Sequence, residues 1–264
     1  GGIIVLKKIA FMTGGGDCAG INAFIAAAVR RGIEGYNAEF VGIRKAFEGA
    51  ASENLEEHLV PFNLENVTGL EKEPSTVLAS PRFNPFSEEN KAKGYPDRII
   101  ANLKKIGVDA VLATGGNDTI KSASGLHQMR FPVIAAPKSI DNDVTGTDTM
   151  LGFKTAVTFG STAFRSTLES AKTHRRISLV EIMGREAGWL ALEIGIAGGA
   201  DLILIPEKEV DLEELCQKIK ELYERQNYVN IAVAEGVSFK ADDPALVRTK
   251  EVNSVVRAMV EEDL

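Results

Sequence analysis

Val108-Asp-Ala-Val-Leu-Ala-Thr-Gly-Gly-Asn-Asp-Thr119 decides the fold class. An apolar run long enough for one buried strand ends in Thr-Gly-Gly, and a helical stretch to Met129 follows it. Ile9-Ala-Phe-Met-Thr-Gly-Gly-Gly-Asp-Cys-Ala-Gly20 has the same form and leads into an Ala-rich helix over residues 21–29. A third apolar run, 132–136, ends in Pro137-Lys-Ser-Ile-Asp-Asn-Asp143. Outward from these, residues 38–43 read as a strand and 96–106 as a helix whose proline stands at its start, where no N–H is needed. The second half repeats the rhythm. Helices are expected over 149–172, 185–197, 212–224 and 251–262, and strands over 176–182, 201–205 and 229–234. Strands alternating with helices of this length imply parallel sheets covered on both faces. The expected fold is α/β: two Rossmann-like three-layer domains with mainly parallel sheets flanked by helices, residues 1–140 and 141–264.

Composition narrows the function. Hydrophobic residues make up 44% and charged residues 25% of the 264, enough apolar side chain for a sizeable core. The net charge is −7, with no long basic run. That argues against nucleic acid or an anionic membrane surface as the main partner. No apolar run approaches the ~18–20 residues of a membrane span. The two cysteines, Cys18 and Cys216, form no disulfide framework and read as reduced thiols of a cytosolic protein. An acidic chain that binds anions must gather its positive charge locally, so clusters of Arg and Lys at strand ends carry the most information.

In parallel sheets, ligands lie beyond the carboxyl ends of the strands, and each glycine-rich segment falls at such an end. Gly14-Gly15-Gly16-Asp17 lets backbone N–H groups approach an anion while the following helix offers its positive end. It is no P-loop, since Gly-Lys-Ser/Thr does not follow. It is also no dinucleotide fingerprint, because Gly42, Ile43 and Arg44 stand where a ribose-binding acid should. A tight strand-to-helix turn would account for it equally. Gly115-Gly116-Asn117-Asp118-Thr119 reads as a second phosphate turn with a carboxylate beside it, or as a Thr or Asp helix cap. Within 137–143, two carboxylates, a lysine and a hydroxyl stand together; carboxylates hold Mg²⁺ or take a proton from an alcohol. A surface turn would also use Asn and Asp freely. Arg175, Arg176 and Arg185 bracket one apolar strand, and guanidinium forks match phosphate oxygens. His174 is not read as a catalyst, and Trp189 is read as helix packing.

Taken in order, Thr-Gly-Gly-Gly-Asp-x-x-Gly-x-Asn (13–22), Gly-Gly-Asn-Asp-Thr (115–119), Pro-Lys-Ser-Ile-Asp-Asn-Asp (137–143), Met-Gly-Arg (183–185), Pro206-Glu207 and Ala234-Glu235-Gly236 resemble the phosphofructokinase family, over roughly residues 8–240. The resemblance implies Mg²⁺-dependent phosphoryl transfer to the 1-hydroxyl of fructose 6-phosphate in the cytoplasm. By it, Asp141 is the general base. Asp143 and Asn117 lie at the metal, and Asp143 also at the substrate. Ser139, Gly16 and Arg185 contact the phosphoryl group in flight, and Arg82 and Gly116 the donor phosphates. Met183, Gly184 and Glu235 bind the sugar, and Arg176 reaches the sugar phosphate of a neighbouring subunit in a homodimer or homotetramer. ATP-using members carry Gly where this chain has Asp118 and Lys138, whereas pyrophosphate-using members carry Asp and Lys. The pair therefore points to pyrophosphate and a reversible reaction.

Three departures shape the expectation. Asn117 replaces an acidic metal-binding residue, which weakens Mg²⁺ binding. Ala26 stands one helical turn before Arg30, where regulated members present another Arg, so nucleotide regulation is expected to be weak or absent. The family's C-terminal stretch ending in Gln-Arg-Gly-Gly has no counterpart before Leu264. Alternatives are an ATP-dependent enzyme, a weakly active or non-catalytic sugar-phosphate-binding subunit, a lipid or dinucleotide kinase, and a nicotinamide oxidoreductase.

Overall fold

The chain punctuates itself with glycine and proline, and the elements fall between those marks. The computed structural model describes residues 7–240, so the helix expected over 251–262 lies outside the described residues. In chain order the elements are β1 (Lys8–Thr13), α1 (Ile21–Tyr36), β2 (Glu39–Ile43), α2 (Ala46–Ala50), β3 (Leu59–Phe62), α3 (Glu88–Ala92), α4 (Tyr95–Lys105), β4 (Ala110–Gly115), α5 (Asn117–Gln128), β5 (Val133–Ser139) and β6 (Leu151–Gly152). They continue with α6 (Phe153–His174), β7 (Ile177–Ile182), α7 (Trp189–Gly198), β8 (Leu202–Leu204), β9 (Val210–Asp211), α8 (Leu212–Gln226), β10 (Val229–Ala234) and β11 (Phe239–Lys240).

Two compact units result. The first comprises residues up to Ser139 together with Met150–Gly152; the second comprises Ile140–Thr149 and the chain from Phe153 onward. The first holds a six-stranded sheet of order β3-β2-β1-β4-β5-β6. All its pairings are parallel except β2 with β3, at an edge where Pro61 costs no ladder bond. From β1 the chain steps outward to β2, and β4 returns on the other side of β1. The carboxyl ends of β1 and β4 therefore lie side by side where the winding reverses, which is where open α/β sheets bind ligands. Ala10, Met12, Ile43, Val111 and Ala113 pack with Phe47, Ile99, Leu103 and Leu126 from the helices into one buried core. On α1, Ile21, Ile25 and Val29 recur at helical spacing and are fully buried.

The second unit has a three-stranded parallel sheet of order β7-β10-β8 and a small β11-β9 pair. Strand β10 shows why both faces are covered. Val229, Ile231 and Val233 point to the core shared with Leu212, Leu215 and Ile219 of α8. Ala232 and Ala234 face Phe153, Val157 and Phe164 of α6 and Leu190, Ala191 and Ile194 of α7. The Asp211 carboxylate caps α8 by accepting from Glu214 N at 3.0 Å. The fold is thus α/β with parallel-dominated sheets between helices. Among the described residues, no helix is long and apolar enough to cross a membrane.

One expected element moves. The helix expected from Arg185 begins only at Trp189. Gly184 (φ 150°) and Arg185 (φ 56°) are left-handed, and residues 184–187 form a turn rather than a first helical turn.

Candidate active site

The β1 turn is tied down before any ligand arrives. Gly14 N donates to Thr114 O at 3.0 Å, joining the ends of β1 and β4. Gly15, left-handed at φ 83°, donates to Pro81 O at 3.1 Å. Two of the three glycine amides are therefore used internally. Among the described residues, nothing lies within 4 Å of where a side chain on the exposed Gly16 would stand. The glycines serve packing as well as reach: a Cβ at Gly14 would lie 2.5 Å from Thr119 Oγ1, and one at Gly115 would lie 2.3 Å from the same atom. Thr119, only 5% exposed, is the packing residue on which both turns close.

The β4 turn opens into α5. The helix N-cap is Gly116, with no side-chain cap, so Thr119 and Asp118 are not the cap that the sequence allowed. Helix α1 likewise starts from a left-handed Gly20 (φ 96°) with no side-chain cap. A helix start without a side-chain cap offers its positive end to an anion, although in α1 the Asn22 amide is already taken by Ser75 O at 3.0 Å. Asp118 is exposed and Asn117 half-buried at this start. Lys138, in β5, joins the two turns. It is 2% exposed, and its ammonium donates to the Gly16 carbonyl oxygen. Ser139 follows it at the end of β5, half-buried. Burial pushes the neighbouring Cys18 thiol up to about 11, the Lys138 ammonium opposing the shift and Asp17 adding to it.

Sequence reasoning missed the segment that leads to Arg82. Residues 73–82 run as a strap over the end of β1. Thr13 Oγ1 donates to Ala79 O at 2.7 Å, Val77 N donates to Asn22 Oδ1 at 3.0 Å, and Pro81 O takes the Gly15 amide. Ser80 Oγ is buried there and has no hydrogen-bond partner among the described residues. Arg82 itself is exposed. The only sequence signal was Thr13 and Asn22 at either end of the glycine segment.

In the second unit, Asp141 and Asp143 are half-buried around a left-handed Asn142 (φ 55°), whose Nδ2 donates to Asp148 O at 3.2 Å. Asp143 lines a cleft of about 440 Å³ with Thr147, Lys154, Trp189 and Glu193. Lys154 and Glu193 form an ion pair at 2.7 Å across that cleft. Trp189 is 51% exposed there, so it is a cleft wall and not the packing residue its apolar neighbours led us to expect. Met183, Gly184, Arg185 and Glu235 come together: Glu235 Oε1 accepts from Gly184 N at 2.9 Å and from Arg185 N at 2.6 Å. That carboxylate fixes the left-handed turn and presents the Met183 and Arg185 side chains, both exposed.

Arg176 does not join them. It precedes β7 while Met183 follows it, and a strand of this length, at about 3.3 Å per residue, holds them ~20 Å apart. Within one chain, the arginines bracketing β7 therefore do not converge on one phosphate.

A phosphofructokinase family model matches residues 8–263. The chain belongs to the phosphofructokinase family. Among curated phosphofructokinase relatives, a pyrophosphate–fructose 6-phosphate 1-phosphotransferase of Dictyoglomus thermophilum is 42% identical over 231 residues, covering 87% of this chain and 64% of that one. An ATP-dependent 6-phosphofructokinase 2 of Clostridium perfringens is 40% identical over 257 residues, covering 94% and 69%. The chain thus spans about two thirds of the length of these curated relatives. The solved phosphofructokinase of Saccharomyces cerevisiae superimposes with a TM-score of 0.84 at 30% identity, over 98% of this chain and 37% of that one.

Proposed function

We propose that this phosphofructokinase-family chain moves a phosphoryl group from pyrophosphate to the 1-hydroxyl of fructose 6-phosphate, reversibly. Identities of 42% and 40% to a pyrophosphate-named and an ATP-named relative do not separate the donors. The reading rests instead on Lys138, a lysine 2% exposed and bonded to the carbonyl of Gly16. A buried ammonium under a glycine turn suits a small, highly charged donor, and the Asp118 carboxylate at the α5 start repels the further phosphate of a nucleotide.

In this reading Gly16, Gly116, Arg82 and Lys138 hold pyrophosphate, and Ser139 and Arg185 steady the group in transfer. Met183, Gly184 and Glu235 hold the sugar. Asp141 takes the proton of the 1-hydroxyl, that oxygen bonds to the terminal phosphorus, and the bridging P–O bond breaks to release phosphate. Arg176, held away from Met183 by β7, serves a neighbouring copy in a homo-oligomer.

Among the described residues, no group of three or more His, Cys, Asp or Glu side chains could hold a metal ion. An ion that brings most of its ligands with its phosphates fits that sparse donor set, because Mg²⁺ is commonly held by one or two carboxylates plus substrate oxygens. By the family resemblance Asp143 would supply a carboxylate and Asn117 an amide oxygen to such an ion, which would neutralise phosphate charge.

The test is an assay of fructose 6-phosphate with Mg²⁺ and either pyrophosphate or ATP. Turnover with pyrophosphate is expected, and the paired Asp118→Gly, Lys138→Gly variant loses it. Turnover with ATP alone overturns the donor assignment.

A further inference from the structure

We propose that Asn22 and Thr13 are positioning residues for the donor: they clamp the strap of residues 73–82 onto α1 and β1 and so set Arg82 and the glycine turn. This deepens the donor reading given above and rests on it.

Asn22 is 2% exposed on the first turn of α1. Its Oδ1 accepts from Val77 N at 3.0 Å and its Nδ2 donates to Glu73 O at 3.3 Å. Its own amide, one of the first-turn N–H groups that a helix leaves without an internal acceptor, donates to Ser75 O at 3.0 Å. Only a side chain with both a carbonyl and an NH₂ group serves a strap N–H and a strap carbonyl together.

Thr13, fully buried at the end of β1, continues the clamp. Leu78 N donates to Thr76 Oγ1 at 3.1 Å, Thr76 and Thr13 share a hydroxyl bond at 3.2 Å, and Thr13 donates to Ala79 O at 2.7 Å. With the last bond using the Thr13 proton, Thr76 must donate to Thr13, so the chain of bonds has one direction. The strap then reaches the turn: Pro81 O accepts the Gly15 amide at 3.1 Å, and Arg82 is the next residue.

The strap has reason to need holding. Ser75 (φ 72°) and Ala79 (φ 57°) are non-glycine residues in the left-handed region. Such a conformation is strained for a side-chain-bearing residue and persists where the surroundings over-determine it. Asn22 and Thr13 supply that determination directly, the Asn22 amide bonding to Ser75 O and the Thr13 hydroxyl to Ala79 O.

The experiment is a double-mutant cycle on the full chain, read as Mg²⁺-pyrophosphate affinity by calorimetry, with fructose 6-phosphate affinity as control. Arg82→Ala and Asn22→Ala are each expected to weaken pyrophosphate about tenfold, the effect of losing one charge-assisted contact. The double variant is expected to be no weaker than Arg82→Ala, with fructose 6-phosphate affinity unchanged. Multiplying effects, or equal loss of both ligands, overturn the proposal and leave Asn22 a structural residue. Thr13→Val, which keeps shape and loses the hydroxyl, gives the same cycle if Asn22→Ala does not fold. Hydrogen exchange separates this proposal from the donor reading. At the Gly15 amide, exchange is expected to accelerate about tenfold in either variant. Accelerated exchange in a protein that does not bind pyrophosphate would refute the donor and retain the clamp, whereas unchanged exchange at Gly15 would refute the clamp itself.

Discussion

The two units prepare their candidate residues in different ways. In the first, the groups assigned to the donor are backbone turns, a buried lysine and one exposed arginine, Arg82, at the end of a bonded strap. Gly14 and Gly15 are bonded to Thr114 and Pro81, Thr119 is wedged between two turns, and Lys138 is bonded to Gly16. In the second, the groups assigned to the sugar are exposed side chains on a turn whose two amides depend on one carboxylate, Glu235. A preformed anion cradle demands little reorganisation when charge moves through it. A presented turn can select an acceptor by a few side chains. The first unit should therefore be sensitive to volume changes of a single methyl, and the second to changes of hydrogen-bonding group.

The largest effect is expected where the chemistry leaves least room. Asp141→Ser should lower kcat about 10³-fold, within the range for losing a general base, while binding of either substrate stays within about threefold. A rate that persists would move the proton-accepting role to another group and remove Asp141 from the reaction.

Next comes a test of the wedge. Gly14→Ala would set a Cβ 2.5 Å from Thr119 Oγ1, and it should destabilise the fold by about 1–3 kcal/mol in denaturant unfolding. Thr119→Ala should rescue it, since it removes both Oγ1 and the Cγ2 at 3.3 Å and leaves Thr119 Cβ at 3.5 Å. Gly115→Ala should resist the same rescue, because there Thr119 Cβ itself lies at 2.4 Å. Equal rescue of both would mean the turns yield, and the contrast between a rigid and a presented site would weaken.

Much of this cradle was legible, and the reason is chemical. Runs such as Thr13-Gly-Gly-Gly and Thr114-Gly-Gly are compatible with few backbone conformations and stand at strand ends, so local sequence already carries their placement. Helices with clear apolar periodicity, such as α1 and α8, were legible for the same reason. What stayed hidden depends on partners distant in sequence. β6 and β9 are two residues each and exist only because a neighbour pairs with them. The strap takes its shape from Asn22 and Thr13, more than fifty residues before it. Arg185, Glu186 and Ala187 are adequate helix formers, yet the Glu235 carboxylate holds the first of them left-handed. Trp189 reads as core in an apolar helix and turns out to line a cleft.

A smaller effect probes the second unit. Glu235→Gln keeps an acceptor for the Gly184 and Arg185 amides, whereas Glu235→Ala leaves both without one. The fructose 6-phosphate KM should rise about tenfold more in the alanine variant, consistent with ~1–1.5 kcal/mol for the pair of bonds, and the pyrophosphate KM should hold. Equal loss in both variants would mean the charge, and not the turn it fixes, binds the sugar.

The smallest effect uses the two cysteines as reporters, one in each unit. Cys18 sits inside the β1 turn, 8% exposed, with Sγ donating to Leu151 O at 3.5 Å, and its pKa is raised from 9.0 to about 11 chiefly by burial. Cys216 is half-buried on α8. Thiolate is the reacting form, so iodoacetamide at pH 8 should modify Cys216 first and leave Cys18 until the fold opens. The stability consequence follows in sign from the raised value. Between pH 9 and 11 the folded state retains a proton that the unfolded state has lost, so this contribution is present below pH 9 and fades as pH rises through 11. Cys18→Ala should therefore show a shallower loss of stability over that window than the parent chain. Early labelling of Cys18 at pH 8 would show the glycine turn opening on its own, and a turn that opens unaided cannot be the preformed partner in the comparison drawn above.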